Sequence, residues 1–264
     1  MSATLTLIVP NDLAELERVS RDLEEFGREH GLSAADVSAV NLAVDEILTN
    51  IILYAFPRRE DREVQINLRL EDDRLTLEFE DSGRPFDPVG MPEPDLEATL
   101  EERPVGGLGI HIVRRLVDDM SYRRDEDRNV LTLTRRLTPG PAGGVSPPRD
   151  EALIGEAEIE GTIVFSVAGR LDAHAAVSLE DLLRDRLEAG SKCFVFDCSE
   201  LDSLSSAGLR VLLIAAKESG AAGGGVALAA PRAGISETIE IAGLSKLLPS
   251  FATRAEALIA VRKA

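Results

Sequence analysis

Residues 105–110 read Val-Gly-Gly-Leu-Gly-Ile, directly before a segment in which apolar residues recur at helical spacing as far as Met120. Glycines at the start of a helix leave backbone N–H groups accessible at the positive end of the helix dipole, which favours a phosphate group. The stretch is not a Walker A loop, because no Gly-Lys-Ser/Thr follows. It is not the dinucleotide-binding fingerprint either, because the glycine spacing differs and no strand–helix–strand unit surrounds it. A glycine cluster alone is weak evidence, so its meaning depends on the flanking segments.

Two polar clusters precede the glycines. Glu46 and Asn50 are four residues apart on a predicted helix and therefore share one face. A carboxylate can accept a proton from a hydroxyl group or water, and an amide oxygen is a suitable ligand for Mg²⁺. Asp81 and Gly83 follow a predicted strand, where the carboxylate can accept a hydrogen bond from an adenine amino group and the glycine permits close approach. Taken separately, the clusters also fit a solvated Glu/Asn pair and an ordinary Asp-Ser-Gly turn.

In this order and spacing, the three clusters resemble the N, G1 and G2 boxes of the GHKL (Bergerat-type) ATPases, and most closely the anti-sigma-factor serine kinases. The resemblance covers nearly all of residues 1–138. Within it, residues 106–122 and 128–133 are similar to the anti-sigma-factor kinases throughout. It implies that ATP and Mg²⁺ are the cofactors. It also implies that Glu46 is the general base, that Asn50 binds Mg²⁺, and that Asp81 holds adenine with Gly83 lining the base pocket.

The same resemblance implies further nucleotide contacts. Gly107 and Gly109 would hold the phosphates, Arg103 would lie near them in a lid, and Thr132 would support adenine from the last strand. One departure concerns residues 54–56, which read Tyr-Ala-Phe where the family often shows His-Ala-Tyr. The N box itself is intact, but the departure leaves the substrate details and the rate open.

The apolar patterns predict an α+β two-layer sandwich in the first half, with helices segregated from a mostly antiparallel sheet. The predicted strands are Thr4–Val9, Val64–Leu70, Leu75–Glu80 and Val130–Leu137, and the predicted helices are one capped by Asn11 and ending near Glu29, one capped by Ser33, and Leu108–Met120.

The second half predicts a small α/β domain with a partly parallel sheet, because strands and helices alternate. The predicted strands are Ala157–Ile159, Ile163–Ala168, Cys193–Phe196 and Val226–Ala229, and the predicted helices are Ala173–Glu188, Ala207–Ser219, Ile235–Ala242 and Arg254–Val261. Between the halves, Thr138–Asp150 contains four prolines and three glycines in thirteen residues, which is typical of a linker. We therefore expect an ATPase domain at 1–138, a linker at 139–150 and a second domain at 151–264.

The segment 194–213 runs from an apolar strand through a polar turn into an apolar helix. A serine at such a helix start is most often an N-cap, and phosphorylation is the functional alternative. The segment resembles the STAS domain of anti-sigma-factor antagonists, and the resemblance extends over about 152–264. Aligned on Gly208, it implies that Ser206 is the phosphoacceptor, with Ser205, in the position often held by Asp, as the alternative. The last helix, with Thr253 as its cap, is similar to the same family.

The composition limits the classes of function. The 264 residues contain 29 Lys and Arg against 47 Asp and Glu, a formal net charge of −18, and 44% are hydrophobic. This balance is typical of globular proteins, and the length suggests two domains. The negative charge argues against binding to nucleic acid or to an anionic membrane. Residues 1–138 carry 17 basic and 30 acidic side chains, a net charge of −13, so most of the excess belongs to the first half.

The remaining features favour a cytoplasmic location. Cys193 and Cys198 lie on opposite faces of a predicted strand and form no disulfide framework, which favours a reducing compartment. The sequence shows no signal peptide, and no stretch approaches the ~18 uninterrupted apolar residues of a membrane-spanning helix. It has no Cys/His cluster that would indicate zinc.

The leading hypothesis is a partner-switching serine kinase. Residues 1–138 would bind Mg·ATP and phosphorylate a STAS serine, on this chain or on a separate antagonist, and a sigma factor or another client would be the further partner; a homodimer is left open. The alternatives are a non-catalytic nucleotide-sensing module with a docking STAS domain, and an ATP hydrolase that drives a conformational change. A histidine kinase is disfavoured, because no helical segment with a phosphoacceptor His precedes the ATPase part.

Overall fold

The computed structural model of the chain describes residues 2–56, 62–93, 108–137 and 152–262. These residues form two compact units, the first from residues before 94 and from 109 to 137, the second from residues after 151. The predicted linker at 139–150 lies outside the described residues, so the boundaries 1–138 and 151–264 stay a prediction.

The first unit is one antiparallel sheet with helices packed on it. The strand order is β1-β2-β3-β5-β4, and every neighbouring pair is antiparallel. This confirms the predicted α+β architecture. The strands are β1 Ser2–Pro10, β2 Glu63–Glu71, β3 Arg74–Asp81, β4 Asp119–Asp125 and β5 Arg128–Arg136, and the helices are α1 Glu15–Glu29, α2 Ala34–Asn50 and α3 Leu108–Leu116.

Amphipathic patterns determine which faces form this core. Every second residue of β2 is buried, so one face of the strand is apolar and the other is polar. Helix α1 buries a stripe at helical spacing that includes Leu16, Val19, Leu23 and Phe26. Burial of such side chains stabilises the unit by about 1.5–3 kcal/mol each.

Helix α2 is the central helix of the first unit. Ser33 caps it as predicted, because the Ser33 side chain accepts a hydrogen bond from the Asp36 backbone N–H. Together with the π-helical turn that continues it, Ala34–Ala55 is long and apolar enough to cross a membrane by length and composition alone. More than half of its apolar window is buried inside the unit, and the buried positions include Asp36, Asp45 and Glu46. This is the pattern of a core helix rather than of a lipid-exposed one.

The predicted cap at Asn11 is wrong. Helix α1 begins at Glu15, and its N-cap, Ala14, forms no side-chain cap hydrogen bond. The Asn11 backbone N–H instead donates to the carbonyl oxygen of Arg62, 2.9 Å away, which continues the pairing of β1 with the chain before β2. Asp12 stabilises the turn before α1, because its Oδ1 accepts a hydrogen bond from the Ala14 backbone N–H at 3.1 Å.

The predicted helix Leu108–Met120 is too long. Helix α3 ends at Leu116, and Asp119–Asp125 forms the edge strand β4. The Asp118 N–H donates to the Thr134 carbonyl at 2.8 Å, and the Asp118 carboxylate accepts from the Arg136 N–H. These bonds pair the segment with β5, and its charged residues are tolerated because an edge strand has solvent beside it.

The second unit is a mixed sheet with the strand order β10-β9-β8-β7-β6. Only β6 and β7 pair antiparallel, and the other neighbours are parallel, which confirms the predicted α/β class. The strands are β6 Leu153–Ile159, β7 Thr162–Leu171, β8 Cys193–Leu204, β9 Gly225–Ala229 and β10 Ser250–Phe251, and the helices are α4 Ala173–Glu188, α5 Ser206–Ala221, α6 Ala233–Ile241 and α7 Arg254–Val261.

The strands of the second unit are longer than predicted, because β6 begins four residues earlier and β7 ends three residues later than the apolar pattern indicates. Strand β8 continues to Leu204, eight residues beyond its predicted end, and the two-residue strand β10 was not predicted. Helix α7 begins as expected, with Thr253 and Glu256 forming a reciprocal capping box. Because β7 and β8 are parallel, their carboxyl ends and the starts of α4 and α5 lie at the same edge of the sheet. Ser206 is therefore at this edge.

Candidate nucleotide-binding and phosphoacceptor sites

A π-helical turn, Ile51–Ala55, continues α2 directly after Asn50. Such turns are rare and occur frequently at functional sites. The carbonyl oxygen of Ala55 accepts a hydrogen bond from the Arg84 backbone N–H at 2.9 Å. The end of the helix is thereby fixed to the loop that follows β3.

A cavity of about 260 Å³ is lined by the end of α2, this loop, α3 and the strands β4 and β5. Its apolar wall includes Ile47, Ile110 and Leu131, and its polar lining includes Asn50 and Asp81. A mostly apolar cavity with a few oriented polar groups is the usual form of a small-molecule site. The structure thus brings Asn50 of the predicted N box and Asp81 of the predicted G1 box to one cavity.

The rim of the cavity is aromatic. Tyr54 and Phe86 both line it and are 71% and 50% exposed. Tyr54 is one of the two residues that depart from the family pattern, and it lines the cavity. Exposed aromatic rings at a cavity mouth gain contact area when a planar ligand enters.

Asp81 is oriented by a hydrogen-bond network. Its Oδ1 accepts from the Gly83 backbone N–H at 2.7 Å and from Asn129 Nδ2 at 2.8 Å. Asn129 Oδ1 in turn accepts from the Tyr122 hydroxyl at 2.8 Å and from Arg124 Nη1 at 2.7 Å. Within the described residues Oδ2 of Asp81 receives no hydrogen bond, so it is the oxygen available to a ligand amino group.

Burial raises the pKa of the Asp81 carboxyl, and the hydrogen bonds from Asn129 and Gly83 and the charge of Arg124 oppose that rise. The network therefore favours the ionised form in a position where burial favours the neutral one. Ionised carboxylates only accept hydrogen bonds, which suits the adenine amino group.

Gly83 has no room for a side chain. A Cβ atom there would lie 2.6 Å from the Ala55 Cβ, 2.8 Å from the Ala55 carbonyl oxygen and 2.8 Å from Asp81 Oδ1. The glycine therefore permits the contact between the loop and the π-helical turn, but it is not among the residues that line the cavity, and its expected place beside adenine stays a prediction.

The structure does not bring every predicted residue to the cavity. Glu46 is buried one turn before Asn50 and is not among the residues that line the cavity. Thr132 pairs with Glu78 rather than with Asp81, and alternation along β5 turns it away from the face that bears Leu131. The residue paired with Asp81 is Asn129, so the expected adenine support from Thr132 is not seen in the described structure.

The glycine-rich segment is described only in part. Gly109 is buried in the first turn of α3, whereas Gly107 and Arg103 lie outside the described residues. Farther along α3, Arg114 Nη2 donates to the carbonyl oxygens of Pro88, Val89 and Met91 at 2.7, 2.9 and 2.7 Å. Arg114 thus ties the glycine-rich helix to the loop that forms a wall of the cavity.

Sequence patterns do not indicate the roles of Asn129 and Arg114. Asn129 stands at the start of β5, where nothing in the local pattern distinguishes a network residue from a turn residue. Arg114 has the spacing of a solvated helix face, and only the tertiary structure shows its three carbonyl contacts.

In the second unit the two candidate acceptors have different environments. Ser205 is the N-cap of α5, is 7% exposed, donates from Oγ to the Leu171 carbonyl at 2.8 Å, and accepts from the Gly208 N–H at 3.3 Å. Ser206 is the first helical residue and is half-buried. A Cβ on Gly208 would lie 2.7 Å from a Leu204 methyl, so the helix start packs closely on the end of β8.

Comparison with known proteins gives matches to both units. Residues 9–135 match the Histidine kinase-like ATPase domain family, and residues 156–257 match the STAS domain family. The chain is similar to the serine/threonine-protein kinase BtrW of Bordetella bronchiseptica, with 31% identity over 100 residues that cover 38% of this chain and 70% of the relative. It is similar to the serine-protein kinase RsbW of Listeria innocua, with 29% identity over 134 residues that cover 48% and 83%.

A solved anti-sigma factor antagonist from Mycobacterium paratuberculosis also matches this chain. The identity is 27%, the match covers 42% of this chain and 95% of that one, and the TM-score is 0.38.

Proposed function

The chain belongs to the family of serine-protein kinases with a histidine kinase-like ATPase domain, followed here by a STAS domain, and from this premise we propose that it transfers the γ-phosphoryl group of ATP to Ser206 of a STAS domain. The observation on which the proposal depends is the oriented Asp81 carboxylate in the apolar cavity beside Asn50. The acceptor is Ser206 of this chain or the equivalent serine of a separate antagonist.

The cavity supplies the adenosine site. Oδ2 of Asp81 accepts from the adenine amino group, and the apolar wall with the aromatic rim contacts the base. The first turn of α3 lies beside the cavity through Ile110, so its N–H groups are positioned for the phosphates. Magnesium fits the donor set, because Mg²⁺ binds through one or two protein oxygens together with phosphates and water. Asn50 would hold it, and when bound it neutralises phosphate charge.

The transfer step forms a bond between Ser206 Oγ and the γ-phosphorus and breaks the bond from that phosphorus to the β,γ-bridging oxygen. ADP leaves, and the hydroxyl proton of Ser206 passes to the Glu46 carboxylate and then to water. Glu46 is buried in α2 one helical turn before Asn50, so the two side chains share one face of the helix.

Ser206 is preferred to Ser205 on structural grounds. Transfer to Ser205 would remove both the helix cap and the hydrogen bond to Leu171, at a cost of about 1–2 kcal/mol. Phosphate on Ser206 would instead lie in the first turn of α5, where the helix dipole favours negative charge. Phosphorylation then adds charge to the surface without unfolding the helix start.

The consequence is a partner switch that works in the cytoplasm, where ATP is supplied. Phosphate on the STAS serine weakens docking on a kinase half whose net charge is already −13. The kinase surface is then available to a sigma factor or another client protein.

Mass spectrometry after incubation with ATP and Mg²⁺ tests the proposal. We expect one phosphate, located on Ser206, and its loss in Ser206→Ala, whereas Ser178→Ala, which removes an exposed serine of α4, should leave it in place. Glu46→Gln should reduce transfer by at least 100-fold with ATP affinity retained. Binding of ATP without phosphate on Ser206, or on the equivalent serine of an added STAS protein, would refute the proposed kinase activity. It would favour a nucleotide-sensing module.

A further inference from the structure

A small charge cluster joins α4 to α5 in the second unit. Glu180 on α4 lies between two guanidinium groups, with Oε1 3.0 Å from Arg184 Nη2 and Oε2 3.5 Å from Arg210 Nη2. Two cations surround one anion, so the cluster has a net charge of one positive unit. Arg184 comes from α4 itself, whereas Arg210 comes from α5.

Arg210 is also a neighbour of Ser206 along α5. The two residues are four positions apart, so their side chains project from the same face of the helix. The Arg210 side chain is 51% exposed, and Ser206 is half-buried at the first helical position. An anion four residues before a cation is the favourable order on a helix, because both charges then complement the dipole.

We propose that Arg210 is a phosphate-binding residue that exchanges the Glu180 carboxylate for the phosphoserine formed at position 206. The proposal rests on the proposed function only in taking Ser206 as the modified residue. The ligand class is a phosphomonoester dianion, and the new contact is a charge-assisted hydrogen bond from the guanidinium group.

The exchange leaves no buried charge without a partner. Arg210 is the more distant of the two cations on Glu180, and its 3.5 Å contact joins two groups that remain accessible to water, with exposures of 51% and 20%. When Arg210 moves to the phosphate, Glu180 keeps its hydrogen bond to Arg184. A dianion attracts the guanidinium more strongly than a carboxylate monoanion does at the same separation.

The exchange changes the charge of this face. Before phosphorylation the cluster beside Ser206 has one net positive charge, and the phosphate adds about −1.5 to −2. The face therefore becomes negative, and it suits an acidic protein surface only in its unmodified form. Arg210 no longer offers a positive charge to a partner after phosphorylation, because the phosphate neutralises it.

The test uses the full chain with phosphoserine inserted at position 206 during translation, so it does not depend on the ATPase half. Titration of the phosphate ³¹P signal gives its second pKa, which is about 6 for an unpaired phosphoserine. We expect the wild type to titrate about 0.5 of a pH unit below Arg210→Gln, and Arg210→Lys to lie between them. The matched control, Lys217→Gln, removes a cation that stands 11 residues after Ser206, roughly 16 Å along the axis of the same helix, and should titrate like the wild type.

Equal titration of the wild type and Arg210→Gln would overturn the proposal, as would an equal effect of Lys217→Gln. Thermal unfolding of each variant shows that it is folded before titration. The outcome is independent of the proposed function, whose failure would instead appear as absence of phosphate on Ser206 of the unmodified chain after treatment with ATP and Mg²⁺.

Discussion

At the scale of single residues, the candidate site depends on how one carboxylate is held. The sequence indicates Asp81 correctly as the polar group at a strand end, because a strand followed by Asp-x-Gly is a local pattern. Asn129 is 48 residues away in the chain, and only the antiparallel register of β3 and β5 brings its Nδ2 to 2.8 Å from Asp81 Oδ1. Thr132, which the resemblance implies as the adenine support, stands three positions farther along β5 and pairs with Glu78 instead of Asp81.

Asn129→Ala should therefore weaken ATP binding while Thr132→Ala, on the opposite face of the same strand, should not. Loss of the hydrogen bond to Asp81 costs about 1–2 kcal/mol, or roughly 5- to 30-fold in Kd. The loss should grow as the pH falls, because removing Asn129 raises the pKa of Asp81 further, and a protonated carboxyl group is a weaker acceptor for the adenine amino group than a carboxylate. Calorimetric titration with ATP at pH 7.5 and 6 measures both effects. Equal losses in the two variants would contradict this account of the network.

At the scale of elements, periodicity predicts the existence of helices and strands better than it predicts their ends. The amphipathic stripe of α1 and the apolar strands of both sheets follow from spacing alone. The end of α3 does not follow from spacing. Val117 and Met120 continue the helical pattern, but residues 119–125 pair with β5 and form strand β4. The π-helical turn after Asn50 has no sequence signature of its own, yet it places Tyr54 at the cavity and Ala55 against the loop.

The contact between the π-helical turn and the loop predicts the effect of two glycine substitutions. Gly83→Ala introduces a methyl group 2.6 Å from the Ala55 Cβ, so the loop and the turn must separate, at about 1–3 kcal/mol of stability and with weaker ATP binding. Gly90→Ala, in the same loop, finds its nearest neighbour, Asp87 Oδ2, at 3.4 Å and should be nearly neutral. Denaturant unfolding and ATP titration of the two variants measure the difference. A neutral Gly83→Ala would show that the close approach is not required.

At the scale of the whole molecule, the excess of negative charge is concentrated in the first half of the chain and is not spread evenly over both halves. Most of the −18 belongs to residues 1–138, which are also the residues assigned to ATP. The acidic composition argues against nucleic acid as a ligand, but it gives no indication of a nucleotide, because binding of ATP depends on local groups and not on net charge. The acidic first half must hold an anionic ligand against the average field of its own surface.

This opposition predicts an unusual response to salt. In a site dominated by cations, salt weakens the binding of a phosphate ligand, whereas here screening reduces the repulsion between ATP and a half with a net charge of −13. With Mg²⁺ saturating, the affinity for ATP should stay constant or rise by about two- to three-fold between 50 and 300 mM KCl, a change of roughly 0.4–0.7 kcal/mol. Adenosine, which carries no charge, serves as the control and should bind with the same affinity at both salt concentrations. A steep loss of ATP affinity with salt, with adenosine unaffected, would mean that nearby cations outweigh the acidic surface at the phosphates.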